Sequence, residues 1–195
     1  MRALIALILV FTSHNGFAIE EPAYAVLEKI EGVEIRRYEG YWVAQKLVAG
    51  NFGDAGNQAF RPLVSYLSGD NATGEKIQMT APVQQHSIGE RHAVTFVMPR
   101  QLASNGLPDP VDETVTLQQV PPQMVAALRY SGGWQEERYR KFEQQLLAHL
   151  SATDYVVCGE AVWARYNPPF WPGFLRRNEV LIPVRPNTCD VPSEN

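Results

Sequence analysis

Apolar and polar positions alternate over residues 33–38, the period of a half-buried strand. A second strand is expected over 41–48, with Glu39-Gly40 as the turn between them. Asp54 then stands where a helix cap belongs, and the spacing predicts a helix to about Leu67. Its apolar positions, Ala55, Ala59, Phe60, Leu63, Val64 and Leu67, fall on one face, and Pro62 inside it predicts a kink. Strands are expected over 76–83, 93–98, 114–119 and 125–130, with a loop over 105–110. A second helix is expected over 135–150, with Tyr139, Phe142, Leu146 and Leu150 on one face. A last hairpin joins 155–165 to 178–184 through the loop 167–177.

The two parts of this pattern repeat. Residues 43–52 align without gaps to 125–134, each block a strand, a glycine, and an aromatic that introduces a helix. Residues 94–99 resemble 178–183, and Thr80-Ala81-Pro82 resembles Asn167-Pro168-Pro169, in the same order and at nearly the same offset. A repeat this long predicts two halves of one domain, about 24–110 and 111–184, not a solenoid. The expected fold class is α+β: a twisted, mostly antiparallel sheet, curved or closed, with two helices against it. Such a sheet leaves a groove suited to a flat or amphipathic ligand.

Composition changes this picture little. With 45% hydrophobic and 19% charged residues, the chain of 195 residues is an ordinary globular one. A net charge of -4, with only short basic clusters such as Arg36-Arg37 and Arg176-Arg177, argues against a nucleic-acid partner. The N-terminus has a signal pattern: Met1-Arg2, an apolar run over 3–11, and Gly16-Phe17-Ala18. The run is too short to span a bilayer, so a signal peptide over 1–18, a mature domain over 19–195 and a periplasmic or secreted location are expected. Cys158 and Cys189 are the only cysteines, and an oxidising compartment permits a disulfide between them. Pairing Asn167 with Asn178 would bring them nearly opposite each other, tying down the C-terminal tail.

No arrangement of residues argues for catalysis. There is no His-Glu-x-x-His, nucleophile elbow or phosphate-cradling glycine loop, and the cysteines lack metal spacing. His86 and His92 flank Gly89-Glu90, a hairpin tip, and read as solvated loop residues. His149 sits near a helix end, where the dipole favours a cation. Met79 and Met98 read as core, and Arg177 with Glu179 as a pair fixing the last hairpin.

Five segments carry a resemblance. They are Glu34-Ile35-Arg36-Arg37-Tyr38, the helix end over 63–69, Lys76-Ile77-Gln78-Met79-Thr80-Ala81-Pro82-Val83, Tyr166-Asn167-Pro168-Pro169-Phe170 and Arg176-Arg177-Asn178-Glu179-Val180. In this order they resemble the SOUL/heme-binding protein family over about residues 24–184. The resemblance implies a duplicated α+β fold, a distorted antiparallel barrel with two helices, similar to bacterial effector-binding domains. It also implies non-catalytic binding of heme or another tetrapyrrole in a surface cleft beside the first helix, for sequestration or transfer. A domain of the same fold that binds another effector or a protein is the alternative. Mapped onto this chain, the heme face of that helix is Asn57, Phe60, Val64 and Ser65, with Arg61 beside them. Asn57 and Ser65 stand where relatives can carry basic residues, and Arg37 where some carry an iron-binding histidine. Trp171 and Phe174, in the loop Phe170-Trp171-Pro172-Gly173-Phe174, either wall the cleft or pack on the helix.

Overall fold

Nine strands lie edge to edge in one antiparallel sheet, in the order β1-β2-β7-β10-β9-β4-β5-β3-β6. The computed structural model describes residues 19–186, so the expected signal segment and Cys189 lie outside the described residues. The strands are β1 (Tyr24–Ile30), β2 (Val33–Tyr38), β3 (Tyr41–Ala49), β4 (Val83–Ile88), β5 (Arg91–Val97), β6 (Val115–Val120), β7 (Gln123–Tyr130), β9 (Val162–Arg165) and β10 (Asn178–Pro186). A short β8 (Tyr155–Val157) pairs with the far end of β10. The helices are α1 (Phe52–Leu67), α2 (Arg100–Asn105) and α3 (Glu136–Leu150).

Apart from the edge strand β1, the order reads the same from both ends, with the seam between β4 and β9 at its centre. The register repeats as well: Val33 pairs with Leu128, and Val115, 82 positions on, pairs with Lys46, 82 positions back. The expected hairpin between β2 and β3 does not form. Instead β2 crosses to pair with β7, and β6 crosses to pair with β3, so each half lends one strand to the other.

One face of the sheet carries the helices over two cores. Ala55, Ala59, Leu63, Tyr66 and Leu67 of α1 pack on Ala44, Val94, Phe96 and Val115. Tyr139, Leu146 and Leu150 of α3 pack on Val33, Ile35, Ala126, Trp163, Val180 and Ile182. Each fully buried leucine among these contributes about 1.5–3 kcal/mol relative to exposure. The opposite face curls over a third core of Tyr38, Ala81, Val125, Ala127, Ala164, Tyr166 and Leu181.

Local expectations fail where tertiary partners decide. Asn51 caps α1, accepting from Asp54 N at 2.9 Å, and Asp54 sits in the first turn, favourable to the helix dipole. The helix runs through Pro62 without interruption. Residues 76–82 form no strand: Ile77 N bonds Leu67 O, Thr80 Oγ1 bonds Val97 O, and Thr80, Ala81 and Pro82 are buried in succession. Met98 is core as expected, but Met79 is 44% exposed. His86 and His92 lie within β4 and β5, both partly buried, and burial lowers the pKa of His86. The expected strand over 155–165 is broken into β8 and β9, and Asn178 pairs with Arg165 where Asn167 was expected. The register shifts again at β8, where Val157 pairs with Val184, so Cys158 N donates to Pro183 O at 2.9 Å. The Thr80-Ala81-Pro82 and Asn167-Pro168-Pro169 segments are not equivalent, since one precedes β4 and the other follows β9.

Candidate functional site

Chain direction makes α1 and α3 antiparallel, since each follows an equivalent strand, β3 or β7, on opposite sides of the seam. Between them lie the seam strands β4 and β9, where the groove is expected; Phe52 of α1 fills part of it, meeting Tyr139 of α3 and Trp163 of β9 edge-on at 5.3 and 4.7 Å between ring centres. Successive residues of α1 step about 100° round its axis, which sorts the expected face residues. Gly56 and Phe60 lie on the flank toward the seam. Phe60 is 47% exposed, with its edge against Phe96 of β5 at 5.8 Å between centroids. Val64, half-buried, continues this stripe one turn on, and Asn57 borders it in solvent. Arg61 turns outward. Ser65 lies on the far flank, donating to Asp70 Oδ2 at 3.1 Å. The structure thus groups Phe60, Val64 and Asn57 and sets Arg61 and Ser65 apart.

Phe96, Val83 and Arg165 are register partners across β5, β4 and β9. Phe60 over Phe96 is therefore about two strand spacings, or about 10 Å, from Arg165. β9 ends at Arg165, and the aromatic loop leaves the sheet there. Phe170 (82%), Trp171 (42%), Phe174 (76%) and Leu175 (56%) are exposed, so the loop does not pack its aromatics into the core. Its backbone is nevertheless held. Arg176 donates to the carbonyls of Trp171 at 2.8 Å and Pro169 at 2.5 Å, and stacks 4.6 Å over Trp134. Gly132 N bonds Gly173 O at 3.0 Å, where a glycine turn meets the 3-10 turn Gly173–Leu175.

Arg165 was not singled out by sequence reasoning. Its Nε donates to Tyr139 OH of α3 at 2.9 Å, and its Nη2 to Gln85 Oε1 of β4. Burial pushes the Tyr139 hydroxyl up, against the pull of Arg165. No signal in β9 beyond strand alternation marks Arg165, because its surroundings come from three other elements.

On the opposite face a cavity of about 300 Å³ is lined by Tyr24, Glu34, Arg36, Arg129, Arg177 and Glu179. Its wall is an ion-pair cluster in which Arg36 Nη1 meets Glu179 Oε2 at 2.6 Å and Arg177 lies 3.0 Å from Glu179 Oε1. The expected Arg177–Glu179 pair is present within it.

Residues 19–183 match the SOUL heme-binding protein family. The chain belongs to this family. The curled antiparallel sheet with helices on one face is shared with solved structures of low sequence identity. The C-terminal domain of EcmrR superposes with a TM-score of 0.62 at 10% identity, covering 79% of this chain and 97% of that one. EcmrR within a DNA complex gives 0.61 at 10% identity, with 79% of this chain matched to 57% of that longer one. A hydrolase from Listeria innocua gives 0.56 at 10% identity, over 82% of this chain and 94% of that one. At these identities the likeness is one of fold. No curated protein sequence matches the chain. The SOUL family is by its name a binding-protein family. Among the described residues of this member no cluster of three or more His, Cys, Asp or Glu is arranged to hold a metal ion. None of its helices, among the described residues, is long and apolar enough to cross a membrane.

Proposed function

We propose that this SOUL-family protein binds heme or another tetrapyrrole without catalysis, for sequestration or transfer. The observation that carries the reading is the exposed apolar flank of α1 at Phe60, at the same end of the sheet as the preorganised aromatic loop. A flat apolar ring removing a few hundred Å² from water gains roughly 25 cal/mol per Å² before entropic costs. A loop already tied by Arg176 reduces those costs, because little ordering remains on binding. Phe60, Val64, Trp171 and Phe174 fit the faces and edge of such a ring. The position at which some relatives carry an iron-binding histidine, Arg37, is on β2, four strands from β4 in the sheet and away from α1. Ring contact rather than that ligand would therefore supply the affinity.

Titration of the purified protein with hemin should give a saturable shift of the Soret band. Phe60→Asp should weaken it at least about tenfold, by placing a charge against the ring. Absence of any saturable shift overturns the reading. The alternative, an effector-binding domain, draws on the cavity walled by Glu179 and its arginines. A non-tetrapyrrole ligand retained in native mass spectrometry, and lost on cavity substitutions, would favour it. The proposed export of the chain, by cleavage after Ala18, is tested by N-terminal sequencing of secreted material.

A further inference from the structure

We infer that Arg165 is an anion clamp in the floor of the interhelical groove, and that the ligand lying along Phe60 carries a carboxylate directed at it. Three observations meet at this side chain. First, it is a partly buried cation without a carboxylate partner among the described residues, whereas the partly buried Arg177 and the buried Arg36 both pair with Glu179. Its hydrogen-bond partners, Tyr139 OH and Gln85 Oε1, are neutral. Second, those two bonds use Nε and Nη2 and fix the plane of the guanidinium, while Nη1 donates to no acceptor among the described residues. A fixed fork with unused N–H groups is the geometry that takes a carboxylate. Third, the residue of α1 facing Nη1 is Gly56, where a Cβ would stand 3.0 Å from that nitrogen. The missing side chain gives the guanidinium itself its seat beneath the helix, one turn from Phe60 on the same flank. Tyr139 and Trp134, with ring centres 5.6 and 5.4 Å from the guanidinium carbon, supply apolar walls that strengthen an ionic contact by excluding water.

The clamp replaces the basic residues that Asn57 and Ser65 do not supply on α1. It rests on the proposed tetrapyrrole reading for the body of the ligand, and on the geometry of Arg165 for its acid group. The two are separated by comparing protoporphyrin IX with its dimethyl ester, by fluorescence titration of the wild type, Arg165→Gln, Arg165→Lys and Gly56→Leu. The wild type should bind the diacid about tenfold or more tighter than the ester, the effect of a charge-assisted hydrogen bond. Arg165→Gln should bind both equally and Arg165→Lys should keep part of the preference. Gly56→Leu, whose side chain takes the space that the guanidinium occupies and so displaces it, should lose the preference too. A preference that survives unchanged in Arg165→Gln and Gly56→Leu overturns the clamp while tetrapyrrole binding stands, as does wild-type binding of both porphyrins without preference. If neither porphyrin binds, the tetrapyrrole reading fails and pyrenebutyrate against its methyl ester decides: an acid preference abolished by Arg165→Gln upholds the clamp, and no such preference overturns it. Should Arg165→Gln not fold, the Lys and Leu variants carry the same comparison.

Discussion

Glu179 concentrates the electrostatics of the second half in one side chain. It is fully buried, and it accepts from Arg36 Nη1 at 2.6 Å, Arg36 Nη2 at 3.2 Å, Tyr166 OH at 2.8 Å and Arg177 Nε at 3.0 Å. Glu34 and Glu21 balance the remaining charge of the two arginines. Burial pushes the Glu179 carboxyl up, but the hydrogen bonds and charge of Arg36, with Arg177 and Tyr166, outweigh it and hold the pKa below 4.5. A carboxyl lowered on folding stabilises the protein above its unfolded pKa, and that stability is lost as pH falls through the folded one. Glu179→Gln should therefore lose about 3–5 kcal/mol at neutral pH, since it removes the buried carboxylate that two arginines share. The variant should also lose less further stability than the wild type below roughly pH 4.5. Urea unfolding across a pH series checks both; an acid slope at least as steep in the variant would exclude the assignment. At this scale the sequence was half legible. Arg177 and Glu179, two positions apart on one strand face, read as a pair, but Arg36 is 143 residues away from Glu179 and no pattern connects them. Phe60 was legible from the helical stripe. Arg165 was not, because what distinguishes it is the absence of a carboxylate and the presence of a glycine on another element.

Elements were legible where one face is buried and the other wet. β2, α1 and α3 fit that description and were anticipated; β3 and β7, which each bury three successive residues, were anticipated as apolar runs. β1 was not, because it is an edge strand whose middle five residues are all exposed, so no alternation is written into it. α2 has six residues and none buried, which leaves no periodicity to find. Residues 76–82 show the reverse error: apolar residues without a neighbouring strand, with backbone and side-chain bonds to other segments instead. The start of α1 has a sharper lesson. Asn51 and Asp54 are both capable caps, and they bond each other, Asn51 Nδ2 to Asp54 Oδ2 at 2.8 Å, while burial of Phe52 places the first turn at the earlier one. Asn51→Ala should cost about 1 kcal/mol of stability in thermal or chemical unfolding. No measurable change would mean that Asp54 takes over the cap.

The crossing of β2 and β6 governs the whole molecule. Neither half has a complete sheet without the strand lent by the other. Unfolding should therefore be one cooperative transition, with far-UV circular dichroism and tryptophan fluorescence superimposable in denaturant. Trp42 in the first half and Trp163 in the second make fluorescence report on both. An isolated segment 24–110 should be unfolded, and a separate transition for either half would contradict the interlocking. The duplication itself was legible from one ungapped block, 43–52 against 125–134. The exchange of strands was not, because a swapped strand and a local hairpin have the same alternation.

The same exchange has an evolutionary reading. A polypeptide of half this length could complete its sheet only by trading one strand with a second copy of itself, so the present chain has the layout of a fused homodimer. In a homodimer each position near the seam occurs twice, and a ligand lying along the groove could enter in either direction. Fusion frees the copies to differ. The row Tyr130, Asn178 and Arg165 in one half occupies the place of Val48, His92 and Ser87 in the other. On the proposed reading Arg165 stands at one end of the groove and Ser87 at the other, so an acid-bearing guest would have a head and a tail in this protein where identical halves would have left it none.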